Sequence, residues 1–232
     1  MTALDGAHVL VVGATGGLGS AICRRLAARG TRLTLTARSG ERLADLADEL
    51  GAAVLGTHAA DITFPSAPAD AVRAAVAHGP LDGVVDAAGV VAFGAVSDLD
   101  DDVLDELLLV NLVAPIRLAR AAVDVLPPGG FLVNLSAVVA ERPAAGMAAY
   151  SATKAGLTGF DAALAHELRR RRLRVVDVRP PHTETGLAGR PIAGEAPRLG
   201  PGLEPDVVAE RVVRAIEQGE TEVPASAFGT PA

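Results

Sequence analysis

Cysteine is nearly absent. Cys23 stands alone, so no disulfide closes within the chain, and no group of His and Cys has metal-ligand spacing. Stability is therefore expected from packing alone, and no metal is expected in the chemistry. Tryptophan is missing and aromatics amount to 3%, which leaves Ala, Val and Leu to build the core, a composition suited to helices packed on a buried parallel sheet. Apolar runs never approach the ~18 residues of a membrane span, and the N-terminus carries Asp5 in place of a basic leader. Neither membrane anchor nor signal peptide is expected, and a reducing cytoplasm fits. Positive charge is also short: the formal net charge of -7 argues against nucleic acid as the main partner. The one basic run, Arg169 to Arg172, reads as a solvated helix end facing the negative end of the dipole. With half of the residues hydrophobic, disorder is excluded.

What is there alternates short apolar runs with helical segments, without repeat, linker or compositional break, over 232 residues. That pattern predicts one α/β domain, a doubly wound parallel sheet of the Rossmann kind. Strands are expected at 8–12, 31–37, 53–60, 81–86, 130–135 and 173–178, with a last short one at 221–224. Helices are expected at 19–29, 41–50, 101–125, 151–171 and 206–218. The Gly- and Pro-dense stretch 186–204 reads as an open or mobile lid. Such sheets bind ligands beyond the carboxyl ends of their strands.

The turn VVGATGGLGSAI sits there, between the first strand and the first helix. Gly13 suits the tight turn, Gly16 or Gly17 a close approach to a pyrophosphate, and Gly19 close helix packing, with phosphate at the helix N-terminus. Both G-x-x-x-G-x-G and G-x-x-G-x-x-G fit this turn, so its spacing leaves the subfamily open. The second strand ends in TARSGERL without a carboxylate. Arg38, with Ser39 as a hydroxyl donor, suits a ribose 2′-phosphate, so NADP(H) is expected in preference to NAD(H).

Of the 21 Lys and Arg residues only Lys154 is lysine, and the single tyrosine, Tyr150, lies four residues before it. At that spacing both share one helix face. A free phenol titrates near ~10 and is a poor acid-base group at neutral pH. A neighbouring ammonium is expected to lower that value toward the working range.

Taken together, the glycine turn, Asp61 in HAADI, DAAG at 86–89, Asn111 in VNL and the Tyr150–Lys154 pair resemble the short-chain dehydrogenase/reductase family, over residues 8–187. The resemblance implies carbonyl–alcohol oxidoreduction, with Tyr150 as acid-base, Lys154 lowering its pKa and holding the ribose, and Asn111 anchoring a proton-relay water. It implies that Asp61 contacts adenine, that Thr15, Leu18, Ile62, Ala87, Ala88, Gly89 and Pro180 line the cofactor, and that Thr183 and Thr185 meet the nicotinamide carboxamide. A homodimer or homotetramer is also implied, paired through the two long helices after the fourth and fifth strands.

Three positions depart from the family pattern. The substrate-orienting serine expected thirteen residues before the tyrosine is Ala137. Ser136 is adjacent, but strand neighbours point to opposite faces, so it replaces that hydroxyl only if the strand end bends. Asp86 and Ala87 stand where two Asn residues are common, and Pro181 replaces a Gly. These departures keep open a cofactor-binding sensor or regulatory subunit with weak catalysis. An epimerase or dehydratase of the nucleotide-sugar branch is disfavoured, because the 78 residues after Lys154 are too few for its added domain. The five scattered histidines and the acidic cluster at 98–102 read as locally satisfied groups, the latter opening a helix.

Overall fold

The computed structural model describes residues 2–229. Strand β1 (His8–Val12) is buried at every position, as a strand covered on both faces must be. It leads through the glycine turn into helix α1 (Gly17–Ala27), whose Ala21, Ile22 and Leu26 face the core. The next units are β2 (Arg32–Ala37), α2 (Gly40–Leu50), β3 (Val54–Ala59), α3 (Ala67–Val76) and β4 (Gly83–Asp86). Then come α4 (Asp101–Leu108), α5 (Ala114–Ala122), β5 (Phe131–Leu135), α6 (Ala148–Leu168), β6 (Arg174–Val178), α7 (Pro205–Gln218) and β7 (Glu222–Val223).

All seven strands run parallel in the order β3-β2-β1-β4-β5-β6-β7. The order reverses between β1 and β4, and the crevice that opens there is where such sheets take ligands. Alternate strand residues feed two cores. Val9, Val11, Val85, Val133 and Val176 pack under α1 and α7, while Leu10, Val12, Val84, Leu132 and Val175 pack under α3, α5 and α6. Gly83 on β4 makes room for the ring of Phe131, whose atoms lie from 2.2 Å from where a Cβ would stand.

Every expected strand is present, with ends shifted by a residue or two. The helix expected at 101–125 is instead two helices joined by a wide turn, Leu109–Val113, in which the N–H of Ala114 donates five residues back to Leu109. Pro115 causes this, having no N–H to offer the carbonyl of Asn111. The 186–204 stretch makes backbone contacts with neighbouring segments. Ile192 N–H donates to Val91 O and Phe93 N–H to Ala193 O, both at 2.9 Å, and Leu203 bridges to Thr183. Irregular backbone over a cleft still has to satisfy its polar groups, and here it does so against the segment after β4.

Candidate active site

A cleft of about 490 Å³ lies along the carboxyl ends of β1, β2, β4, β5 and β6. Its floor at one end is the glycine turn. Gly13 has φ +74°, and a Cβ there would sit 2.6 Å from Ala88 N. A Cβ on Gly17 would lie 2.6 Å from Thr185 O, and one on Gly19 would lie 2.1 Å from Gly13 O. Gly13, Gly16 and Gly17 line the cleft with Thr15 and Leu18; Gly19 does not, and serves the turn's own packing. Helix α1 starts at this floor with no side-chain cap and no acid in its first turn, so its first N–H groups face the cleft unclaimed. That donor set fits a pyrophosphate.

Arg38 and Ser39 line the same end, together with Arg42. Ser39 caps α2 by accepting a hydrogen bond from Arg42 N at 3.2 Å, which leaves its O–H free to donate. The Arg42 guanidinium donates to the backbone of Thr15 and so ties the start of α2 to the glycine turn. Arg42 is missing from the sequence reading; its signal was its place in the first turn of the helix that follows Arg38. Asp61 and Ile62 form the adjoining wall, Asp61 Oδ1 accepting from Thr63 N at 3.0 Å and Thr63 Oγ1 at 2.8 Å. Thr36 Oγ1, buried at the end of β2, has no hydrogen-bond partner and also borders the cleft.

Ala87, Ala88 and Gly89 continue the wall after β4. Asn111, fully buried, does not line the cleft. Its Oδ1 accepts from Val90 N at 3.0 Å and its Nδ2 donates to Val90 O at 2.9 Å, so the amide is spent clamping the residue next to Gly89. Pro180, Thr183 and Thr185 face the cleft from beyond β6. The Thr183 hydroxyl donates to Pro181 O at 2.9 Å, and Thr185 Oγ1 accepts from Leu187 N at 3.3 Å.

Tyr150 and Lys154 lie one turn apart in α6 on the opposite wall, 7% and 4% exposed. Lys154 Nζ is 5.9 Å from the centre of the Tyr150 ring and donates to Leu135 O at 2.8 Å. Burial pushes the phenol up to about 12. The expected lowering by the ammonium is not met in this arrangement, because Lys154 is aimed at the β5 carbonyl and nothing offsets the loss of water around the phenol. Burial also pulls Lys154 down to about 8, against the opposing pull of Asp86, Asp177 and Asp161.

Ser136 borders the cleft at the end of β5. Its Oγ accepts from Thr158 at 3.2 Å on the α6 side of the sheet, and it is 4% exposed. Strand parity gives it the face of Asn134, two residues earlier, which donates to Asp161 of α6 at 2.6 Å. Ala137, with opposite parity, lines the cleft beside Val138, Val139 and Met147, an apolar wall continued by Val90, Val91, Phe93 and Leu187.

The short chain dehydrogenase family model matches residues 7–195. The chain belongs to the short-chain dehydrogenase family. This short-chain dehydrogenase is 35% identical over 187 residues to the cyclic-di-GMP-binding biofilm dispersal mediator protein of Escherichia coli K12, covering 80% of this chain and 76% of the other. It is 36% identical over 192 residues to the granaticin polyketide synthase putative ketoacyl reductase 1 of Streptomyces violaceoruber, covering 78% and 69%. Among solved structures, a short chain dehydrogenase from Burkholderia cenocepacia in complex with NADP matches with a TM-score of 0.86 at 31% identity, covering 98% of this chain and all of that one. An oxidoreductase fold with a nicotinamide-cofactor cleft is thereby established. Among the described residues no helix is long and apolar enough to cross a membrane, and no cluster of His, Cys, Asp and Glu is arranged to hold a metal.

Proposed function

We propose that this short-chain dehydrogenase interconverts a carbonyl and an alcohol with NADP(H), Tyr150 serving as acid and base at the substrate oxygen. The observation that carries the reading is the placement of the chain's only tyrosine and only lysine, both buried, at the wall of a cleft floored by the glycine turn. A bound nicotinamide supplies or accepts the hydride. Tyr150, protonated at neutral pH, is at rest an acid: its O–H breaks as the proton passes to the carbonyl oxygen, and the phenolate left behind faces the Lys154 ammonium. In the oxidative direction the same oxygen takes the alcohol proton. The apolar wall around Ala137 keeps water from the reacting centre and favours an uncharged substrate. Arg38 and Arg42 offer planar, fixed charges to a 2′-phosphate, and the Ser39 hydroxyl is free to donate beside them. The relative named a ketoacyl reductase and the neighbour holding NADP support both halves of the reading. A homodimer or homotetramer is part of the same proposal, and light scattering showing a monomer at micromolar concentration would contradict it.

Fluorescence titration of the purified protein with both dinucleotides, followed by a carbonyl panel, tests the proposal. NADPH is expected to bind tighter than NADH by about tenfold, and Arg38→Ala to erase the difference. An equal preference for NADH would refute the cofactor assignment.

A second reading, binding without turnover, is favoured by Ala137, which removes one of two hydroxyls expected at the substrate oxygen, and by the relative named for binding a cyclic dinucleotide. If NADPH binds and no carbonyl is reduced, while Ala137→Ser creates turnover, that reading stands.

A further inference from the structure

More negative charge lies beneath Lys154 than one ammonium can match. Asp86 on β4, Asn134 on β5 and Asp177 on β6 are register partners in neighbouring strands, so their side chains stand in a row on the sheet face covered by α6. Helix α6 lays Lys154 and, two turns on, Asp161 over that row. All five residues are at most 4% exposed.

The donors available to the three acids are few. Asp86 Oδ1 accepts from Ala88 N at 3.0 Å, and Asp161 Oδ1 from Asn134 Nδ2 at 2.6 Å; the second oxygen of each has no hydrogen-bond partner. Asp177 lies beside a cation that it shares with Glu141 and Glu222, Arg179 Nε standing 3.3 Å from its Oδ2. Lys154 thus faces Tyr150 and Asp161 from its own helix, Asp177 from β6 and Asp86 from β4. The segment after β4 links Asp86 to the ammonium without a direct ion pair: Asp86 grips the N–H of Ala88, and Nζ lies 3.7 Å from where a Cβ on the following residue, Gly89, would stand. A buried ammonium with one carbonyl partner needs an anion near it to stay charged.

We propose that Asp86 is the counter-ion of Lys154, a positioning residue that keeps the ammonium protonated beside Tyr150. The titration directions agree. Burial raises Asp86 only to about 6, with Ala88 and Lys154 holding it down, whereas burial lifts Asp161 to about 8 in spite of Asn134. Of the three acids that pull Lys154 upward, Asp86 pulls most. The departure at position 86 therefore adds a charge that an asparagine there would lack. The inference deepens the proposed function, on which its catalytic meaning rests.

Having one lysine, the chain gives one side-chain signal when grown with isotope-labelled lysine, so Lys154 can be titrated directly by NMR in the cofactor-free protein. In Asp86→Asn, which keeps the shape and an acceptor for Ala88, the Lys154 midpoint is expected to fall by at least about one pH unit. The fall in Asp161→Asn is expected to be smaller, and Asp86→Glu is expected to restore the wild-type midpoint. A midpoint in Asp86→Asn that is unmoved, or moved no more than in Asp161→Asn, overturns the proposal. Should Asp86→Asn fail to fold, the wild-type titration decides: the Lys154 signal must step near pH 6 as Asp86 ionises, and a curve without that step overturns it. No substrate enters the measurement. A protein that reduces no carbonyl leaves this inference standing, and an unmoved Lys154 in a working reductase sinks this inference alone.

Discussion

Tyr150 does its proposed work from a dry position, where burial alone drives its phenol up to about 12. That keeps it protonated at neutral pH, the form that can donate to a carbonyl oxygen, while making each proton transfer from it cost more. Tyr150→Phe keeps the ring and its packing and removes only the O–H. Turnover is expected to fall by ~10²–10⁴-fold with NADPH affinity unchanged, read as kcat against a separate binding titration. The pair with Lys154 was legible in the sequence because a four-residue interval in a helix has one spatial meaning. Which way its ammonium points was not, since the Leu135 carbonyl that takes it lies on a strand 19 residues away. Ser136 shows the same limit: it borders the cleft, but only Thr158 on α6 shows which group its hydroxyl meets.

The glycine turn is the element whose sequence left least freedom. Gly13 needs both a positive φ and a missing Cβ, because Ala87 and Ala88 of the neighbouring β4 end press against it. Gly13→Ala is expected to destabilise the protein by more than about 1 kcal/mol, read as a lowered Tm, and to weaken dinucleotide binding at the same time. A thermal melt matching wild type would show that the turn adapts. The helix expected at 101–125 is the counterexample. Its apolar periodicity runs across Asn111 without interruption, and Pro115 alone hinted at the wide turn that presses the Asn111 amide onto Val90. The 186–204 stretch carries no periodicity, so its pairing with the backbone of Val91 and Phe93 was invisible until the strands had set the two segments side by side.

At the scale of the whole molecule, three buried acids in one domain make stability depend on pH. Asp161 is the clearest case, 1% exposed and raised from 3.8 to about 8 by burial. A raised folded-state pKa means the folded form binds more protons than the unfolded one between those two values, so its share of stability is full below about pH 4 and is lost as pH rises through about 8. Asp161→Asn does not titrate. The variant is expected to gain on wild type by more than about 1 kcal/mol between pH 5 and 8, measured by paired denaturant melts. Equal slopes for the two proteins would show that Asp161 is ionised in the folded state. Lys154, lowered to about 8, acts the other way above that pH: its contribution is present above its unfolded value and is lost as pH falls through about 8. The wild-type curve is therefore expected to be steepest on the neutral side.

Apolar periodicity, the glycine turn and the Tyr150–Lys154 interval determined by themselves the fold class, the order of the strands and the two ends of the cleft, because each is a local pattern tied to a definite backbone geometry. Tertiary structure alone decided what those groups touch. The acid row beneath Lys154 exists because parallel register sets residues 86, 134 and 177 abreast. Charges so far apart in the chain acquire a common pKa problem only when the sheet and α6 bring them out of water together.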